Sequence, residues 1–95
     1  MTSQMEFCKR LAAAPSAQAE LALFEQRREL PPPMRSVRYG IRRVFDGKIL
    51  QGNEFTPKMF DEVEIVLYCD DEGGSERAVV WKPKSLESLQ MLFRE

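Results

Sequence analysis

Two runs of β-forming residues, separated by an acidic segment that contains glycine, constrain the fold of this chain most strongly. The first run, residues 63–69, places Val63, Ile65 and Leu67 on one side with the period of two that a strand requires. The second run, residues 77–81, ends at the single Trp. Between them, acidic side chains keep the segment in water and two glycines permit positive φ. The pattern predicts an antiparallel hairpin.

An earlier strand is predicted over residues 36–45, where Val37, Tyr39 and Ile41 share one face. The Asp-Gly pair at 46–47 is a strong hairpin signal, so the chain should return as a strand after residue 47. A Thr-Pro pair at 56–57 predicts one helical turn before this hairpin. Three to four antiparallel strands are therefore expected.

Helices are predicted at both ends of the chain. Residues 3–30 have helical spacing and are interrupted at Pro15, after which Ser16 can cap a second helix. Three prolines at 31–33 predict a stiff, extended spacer. Ser85 is the predicted cap of a final helix with an apolar stripe. That stripe consists of Leu86, Leu89, Leu92 and Phe93.

Ninety-five residues permit one modest core. We therefore expect an α+β fold, with a small curved antiparallel sheet of three to four strands and an N-terminal helical segment and a C-terminal helix packed on it. Within one compact domain, residues 1–30 form the helical segment, residues 31–35 the proline-rich spacer, and residues 36–95 the sheet with its final helix.

Cysteine use and hydropathy predict an intracellular protein, cytoplasmic or nuclear. No apolar run reaches the roughly 18 residues of a membrane span, and the first residues do not have the pattern of a secretory signal. Cys8 and Cys69 lie too far apart to read as a metal-ligand or redox pair. Two reduced, buried thiols are expected, and a disulfide between them is the alternative.

Enzymatic activity is not predicted, and neither is a cofactor or a metal. The chain contains no His for acid–base chemistry near neutral pH. It also contains no nucleophile motif and no glycine-rich phosphate loop. The acidic run at 70–72 does not have the ligand spacing of a calcium loop. We interpret that run as a solvated turn.

Charge is distributed unevenly along the chain. Residues 31–60 carry six basic and two acidic side chains, a net charge of +4, whereas residues 61–95 carry four basic and nine acidic ones, a net charge of −5. The basic segment makes nucleic acid a candidate partner, but one less favoured than protein, because the whole chain is slightly acidic. Its candidate phosphate-binding residues are Arg35, Arg38, Arg42 and Arg43. The alternative is a solvated strand face that pairs with Glu62 and Glu64.

Four short stretches resemble the chromodomain and its relative, the chromo shadow domain. They are residues 39–46 (Tyr-Gly-Ile-Arg-Arg-Val-Phe-Asp), residues 64–67, the Trp-Lys-Pro at 81–83, and residues 86–93. The resemblance covers residues 37–95. It implies a curved three-stranded antiparallel sheet with a C-terminal helix folded across it.

The departures from the family are informative. Tyr39 lies where the family has the first ring of its methyl-lysine cage, but Cys69 lies where the family has Trp, and the third ring is replaced within 70–72. The resemblance therefore implies a shadow-like member without a cage, which dimerises through its last helix and docks extended peptides. The dimer contacts would be Leu86, Leu89, Leu92 and Phe93.

Trp81 is interpreted first as a core residue and alternatively as an anchor for a partner. The predicted function is that of a small non-catalytic protein–protein interaction module or adaptor, with a protein partner or a second copy. The alternative is a regulator that binds or mimics nucleic acid, including an inhibitor of the phage or bacterial type.

Overall fold

A computed structural model describes residues 4–71 and 73–94, apart from the side chains of Pro32 and Pro33. Four helices and four strands follow one another along the chain, with a 3-10 helix before the third strand. They are α1 (Gln4–Ala13), α2 (Ala17–Arg27), α3 (Pro32–Arg35), β1 (Arg38–Arg43), β2 (Ile49–Leu50), the 3-10 helix (Pro57–Glu62), β3 (Val63–Asp70), β4 (Glu76–Trp81) and α4 (Leu86–Phe93).

The four strands form one antiparallel sheet in the order β2-β1-β3-β4. Ile41 of β1 lies opposite Ile65 of β3, which in turn lies opposite Trp81 of β4. All three side chains are buried. Side chains alternate across a strand, so these residues mark one face of the sheet, which we call the covered face. The predicted α+β fold with an antiparallel sheet is confirmed.

All three long helices lie against the covered face. Cys8 of α1 is bonded to Cys69 of β3. The ring centroids of Phe24 in α2 and Trp81 in β4 are 6.0 Å apart. At the other end of the sheet, the ring of Phe93 in α4 stacks on Tyr39. The main core is therefore shared by the helices and the sheet. It contains Met5, Phe7, Cys8, Leu11, Phe24, Val37, Ile41, Leu50, Val63, Ile65, Leu67, Cys69, Trp81, Leu89, Met91 and Leu92.

The predicted helix starts are confirmed. The hydroxyl of Ser16 accepts a hydrogen bond from the Ala19 N–H at 3.1 Å, so a second helix begins after Pro15. The hydroxyl of Ser85 accepts from the Ser88 N–H in the same way at the start of α4. Over the residues that the structure describes, no helix has the length and apolarity needed to cross a membrane.

The prediction of an extended proline segment is wrong. Residues 32–35 form one turn of helix, and the Met34 N–H donates to the Pro31 carbonyl at 2.9 Å. Proline is well suited to a first helical turn, because the N–H that it lacks has no partner there and its φ is already close to helical. The guanidinium of Arg27 donates to the Met34 carbonyl at 2.9 Å and ties this turn to α2.

The expectation of two reduced thiols is also wrong, since Cys8 and Cys69 form a disulfide. The two residues are 61 positions apart, and only the fold brings helix α1 onto strand β3. Disulfides are typical of oxidising compartments and rare in the cytosol. The disulfide and the predicted intracellular location thus point to different redox environments, and the location stays a prediction.

Candidate interaction surface

The face of the sheet opposite the helices carries an apolar row. Gly40, Val66 and Val80 lie opposite one another across β1, β3 and β4. We define the open face as the set Ile49, Val66, Tyr68, Ala78 and Val80. Val80 is 46% exposed and Ile49 is 43% exposed, although both are aliphatic, whereas Val66 between them is only 5% exposed. The side chains on the solvent side of an antiparallel sheet are ordinarily polar. An apolar row there therefore requires an explanation.

Gly40 allows the apolar row to continue across β1. A Cβ at this position would lie 3.6 Å from the hydroxyl of Tyr68 and 3.8 Å from the nearest atoms of Ile49. Because Gly40 has no side chain, the groups from β3 and β2 come together above it. The open face therefore extends across all four strands.

An ion pair bounds the open face at each end. Arg42 donates to Glu64 from Nη2 at 2.7 Å and from Nε at 2.9 Å. Arg38 lies two positions from Gly40 in the opposite direction along β1, and it forms an ion pair with Glu76 of β4 across the sheet. The apolar row thus lies between two neutralised charge pairs, an arrangement that resembles the apolar centre and polar rim of protein interfaces.

The four arginines proposed for phosphate binding all contact oxygen atoms of their own chain. Arg35 donates to the carbonyls of Arg28 and Leu30 at 3.2 and 3.4 Å. Arg43 donates to both carboxylate oxygens of Asp46, at 3.1 and 2.6 Å. The alternative of a solvated face is supported by the Arg42–Glu64 pair. Nucleic-acid binding by these residues stays a prediction, but their guanidinium groups are already occupied within the fold.

The loop between β1 and β2 exposes a second apolar group. It is longer than the predicted two-residue turn, because β1 ends at Arg43 and the Gly47 N–H donates back to the Arg43 carbonyl at 2.8 Å. Gly47 has a φ of 73°, which favours glycine. The loop includes Phe45, which is 78% exposed, with the Arg43 guanidinium 4.7 Å from its ring centroid. Phe45 is the most exposed large apolar side chain among the residues that the structure describes.

Hydrogen bonding fixes the charge state of this loop. The Arg43 guanidinium, followed by the Lys48 N–H, lowers the pKa of Asp46 from 3.8 to about 2. The same contact with Asp46 raises the pKa of Arg43. The pair is therefore fully ionised over the physiological pH range, and it keeps the base of the loop ordered beneath Phe45.

The structure separates the predicted partner residues into two groups. Trp81, Leu89 and Leu92 are buried within the chain itself. Their apolar character is explained by the core, and partner contact by these three residues stays a prediction. Leu86 and Phe93 are only partly buried. Partner contact by these two residues stays a prediction.

The aromatic groups near α4 do not form an open cage. Tyr39 and Phe93 stack with their ring centroids 5.5 Å apart, and Phe55 meets Phe93 edge-on at 5.9 Å. Burial raises the pKa of Tyr39. Cys69, which the chromodomain resemblance places at the position of a cage Trp, is bonded to Cys8. A stacked pair leaves no gap for a ligand between its rings.

Glu20 is a buried charged residue that the sequence reasoning missed. Its carboxylate accepts from the indole Nε1 of Trp81 at 2.8 Å and from the Lys84 N–H at 3.0 and 3.2 Å. It therefore joins α2 to the end of β4 and to the segment before α4. The available signal was its spacing, since Glu20, Phe24 and Arg27 recur at helical intervals and all are buried.

The turn between β3 and β4 is an internally bonded loop. Asp71 accepts from the guanidinium of Arg77 at 3.0 Å and from the backbone N–H groups of Gly73 and Ser75, and these contacts lower its pKa. The predicted solvated run at 70–72 includes Glu72, which lies outside the described residues. Within residues 4–71 and 73–94, no cluster of three or more His, Cys, Asp or Glu could hold a metal ion.

Comparison of the chain with protein-family models, with curated proteins and with solved structures finds no match. The resemblance to the chromodomain family stays a prediction.

Proposed function

We propose that this chain is a small non-catalytic protein-interaction module and that its open face is the contact surface. The observation that carries the proposal is the one-sided packing of the sheet. Helices cover one face, and the other presents an apolar row between two ion pairs. Exposed contiguous apolar surface with a polar boundary is characteristic of protein contact sites.

Protein is a better partner than nucleic acid for this surface. Arg38 and Arg42, which flank the open face, are paired with Glu76 and Glu64. A phosphate would compete with those carboxylates for the guanidinium groups, whereas an apolar protein surface can use the row between them without affecting either pair. Docking of an extended peptide, as the resemblance to shadow domains implies, is one form of this function.

The experiment compares two exposed aliphatic positions with a third that lies elsewhere. A partner is first recovered by affinity purification from the source organism and then purified, and its Kd is measured by calorimetry. Ile49→Ser with Val80→Ser should weaken binding tenfold to a hundredfold, since about 1–3 kcal/mol of apolar burial is lost. The matched control is Val44→Ser, because Val44 is 50% exposed but lies in the β1–β2 loop.

Equal weakening by the control and the double variant would remove the open face from the proposal. A chain that binds no protein but binds DNA or RNA in low salt would overturn the proposal itself. In that case Arg38→Glu with Arg42→Glu should abolish the binding, as expected for phosphate contacts.

A further inference from the structure

The two edges of the sheet are very different. The β2 edge is only two residues long, whereas β4 presents six. Very short edge strands, prolines and charges are the usual means of preventing sheets from joining. In β4 the charged residues stand at the beginning, and residues 78–81 are uninterrupted Ala-Val-Val-Trp. The β4 edge therefore does not have the protection that the β2 edge has.

The backbone groups on the free edge can be assigned from the ladder. Along an antiparallel strand, successive residues direct their N–H and C=O to opposite neighbours. The Val44 N–H donates to the Glu62 carbonyl at 2.9 Å. Even-numbered residues of β3 therefore direct their backbone groups toward β1, and odd-numbered residues direct theirs toward β4. The register pairs Leu67 with Val79. The odd-numbered residues of β4 therefore direct their backbone groups toward β3, and the even-numbered residues direct theirs away from the sheet.

The free edge is also accessible. Helix α1 lies beside β4 but leaves an open cleft of about 950 Å³, lined by Met5, Lys9 and Ala13 on one side and by residues 77–79 on the other. In the described part of the chain, no backbone hydrogen bond joins α1 to β4. Ala78 is exposed and lines this cleft, and Val80 is 46% exposed, so another strand can approach the edge beside these two residues.

The sequence of this edge is complementary to itself. In an antiparallel pair of two β4 strands centred on Val79, Ala78 lies opposite Val80, and Glu76 lies opposite Lys82. Both pairs occur twice because of the two-fold symmetry. Opposite charges directly across an antiparallel pair stabilise it, and like charges destabilise it. A second copy of this chain thus offers an apolar partner to Ala78 and Val80, and it offers Glu76 an opposite charge in addition to its own Arg38.

We propose that β4 pairs with β4 of a second copy, antiparallel and with the two-fold axis at Val79, to form one continuous sheet of eight strands. Ala78 and Val80 exchange backbone hydrogen bonds across the interface, and at each end Glu76, which pairs with Arg38 of its own chain, also pairs with Lys82 of the second copy. The open faces of both copies then lie on the same side of the joined sheet. This inference deepens the function proposed above, since it names one partner of the module, and it rests on that function.

The test measures the mass of the full chain by sedimentation over a range of concentrations. The expected species is a dimer of twice 11.0 kDa. Glu76→Lys alone and Lys82→Glu alone should each weaken the dimer about tenfold, because two favourable pairs become repulsive. The variant with both changes should dimerise more tightly than either single variant, although Glu76→Lys also removes the pair with Arg38 of its own chain. Circular dichroism on each variant verifies that the monomer fold is intact.

Amide hydrogen exchange provides an independent measurement with an internal control. The N–H groups of Ala78 and Val80 should become protected as the concentration rises. The N–H of Val79, which faces β3, should be protected at every concentration. Ala78→Pro should prevent dimerisation, since proline removes the donor at the interface but is tolerated on a free edge. If that variant does not fold, the charge variants decide the question.

Three results would overturn self-pairing. The first is a monomer at every concentration up to about 1 mM, where even a complex of millimolar Kd would be half formed. The second is a dimer that neither single charge change weakens. The third is a monomer whose β4 edge binds an extended peptide from another protein, which would leave the interaction module standing with a different partner.

Discussion

At the scale of single residues, Glu20 shows how a charged side chain can be part of a core. It lies on α2 among apolar neighbours and is 1% exposed. Burial of a carboxylate is costly unless hydrogen bonds compensate it. Here the indole of Trp81 and the backbone N–H of Lys84 supply those bonds. We infer that Glu20 fixes the angle at which α2 meets the sheet.

Glu20→Ala should therefore lower the free energy of unfolding by about 2–4 kcal/mol, because the buried indole N–H of Trp81 and the partly buried N–H of Lys84 lose their acceptor. Urea unfolding followed by far-UV circular dichroism measures this change. Glu25→Ala is the control on the same helix. Glu25 is exposed and paired only with Arg28 across one turn, so its loss should cost less than about 0.5 kcal/mol. Similar losses in both variants would contradict the proposed role of Glu20.

At the scale of elements, α1 is attached to the sheet in two different ways. Its Cys8 is bonded to Cys69. At its beginning, the side-chain amide of Gln4 donates to the Ser36 carbonyl at 3.0 Å and accepts from the Asp70 N–H at 2.9 Å. This amide continues the hydrogen-bond ladder beyond the last paired residues of β1 and β3, so helix α1 caps that end of the sheet.

Removal of the disulfide by Cys8→Ala with Cys69→Ala should lower the free energy of unfolding by about 2–4 kcal/mol, since the closed loop is long. The amides of α1 should exchange faster by a larger factor than those of β3. The original chain should show the same change after addition of a reductant, whereas the double variant should not respond to it. An original chain that is equally stable with and without reductant would show that the disulfide adds no stability.

The elements were largely predictable, and the exceptions have physical causes. Strands and helix caps depend on residues close in sequence, so alternation and the two capping serines at 16 and 85 were sufficient. The prolines at 31–33 are compatible with both an extended segment and a first helical turn, and the tertiary bond from Arg27 favours the turn. The disulfide depends on a distance between remote residues, which no local pattern contains.

The candidate surface was harder to predict than the fold. An apolar stripe on a helix indicates that something covers it, and does not indicate whether the cover is the chain's own sheet or a partner. For Leu89 and Leu92 it is the chain's own core. The open face depends on which side of the sheet the helices occupy, and this is a property of the whole fold.

At the scale of the whole molecule, the proline-containing segment does not separate two cores. Phe7 and Leu11 of α1 and Phe24 of α2 belong to the same buried cluster as Trp81. The rings of Phe7 and Phe24 meet edge-on at 5.5 Å, and Phe24 meets Trp81. The helical segment thus supplies a large part of the apolar layer that covers the sheet.

Residues 36–95 alone should therefore not form a cooperative fold, because the covered face would lose the helices that keep it from water. Dispersion of amide proton NMR signals is the measurement, with the full chain as the reference. Well-dispersed signals and a sharp thermal transition in the short fragment would show that the sheet and α4 form an independent unit. The predicted division would then separate a sheet domain that is stable on its own from a helical segment that is not needed for its folding.

The position of Trp81 gives the molecule a built-in optical probe. It is the only Trp in the chain, it lies where α2, β4 and the segment before α4 meet, and its indole N–H is bound to a carboxylate. Its fluorescence emission should lie at short wavelength in the folded chain and shift to the red when water reaches the ring. A single unlabelled sample can therefore report whether the helices are docked on the sheet.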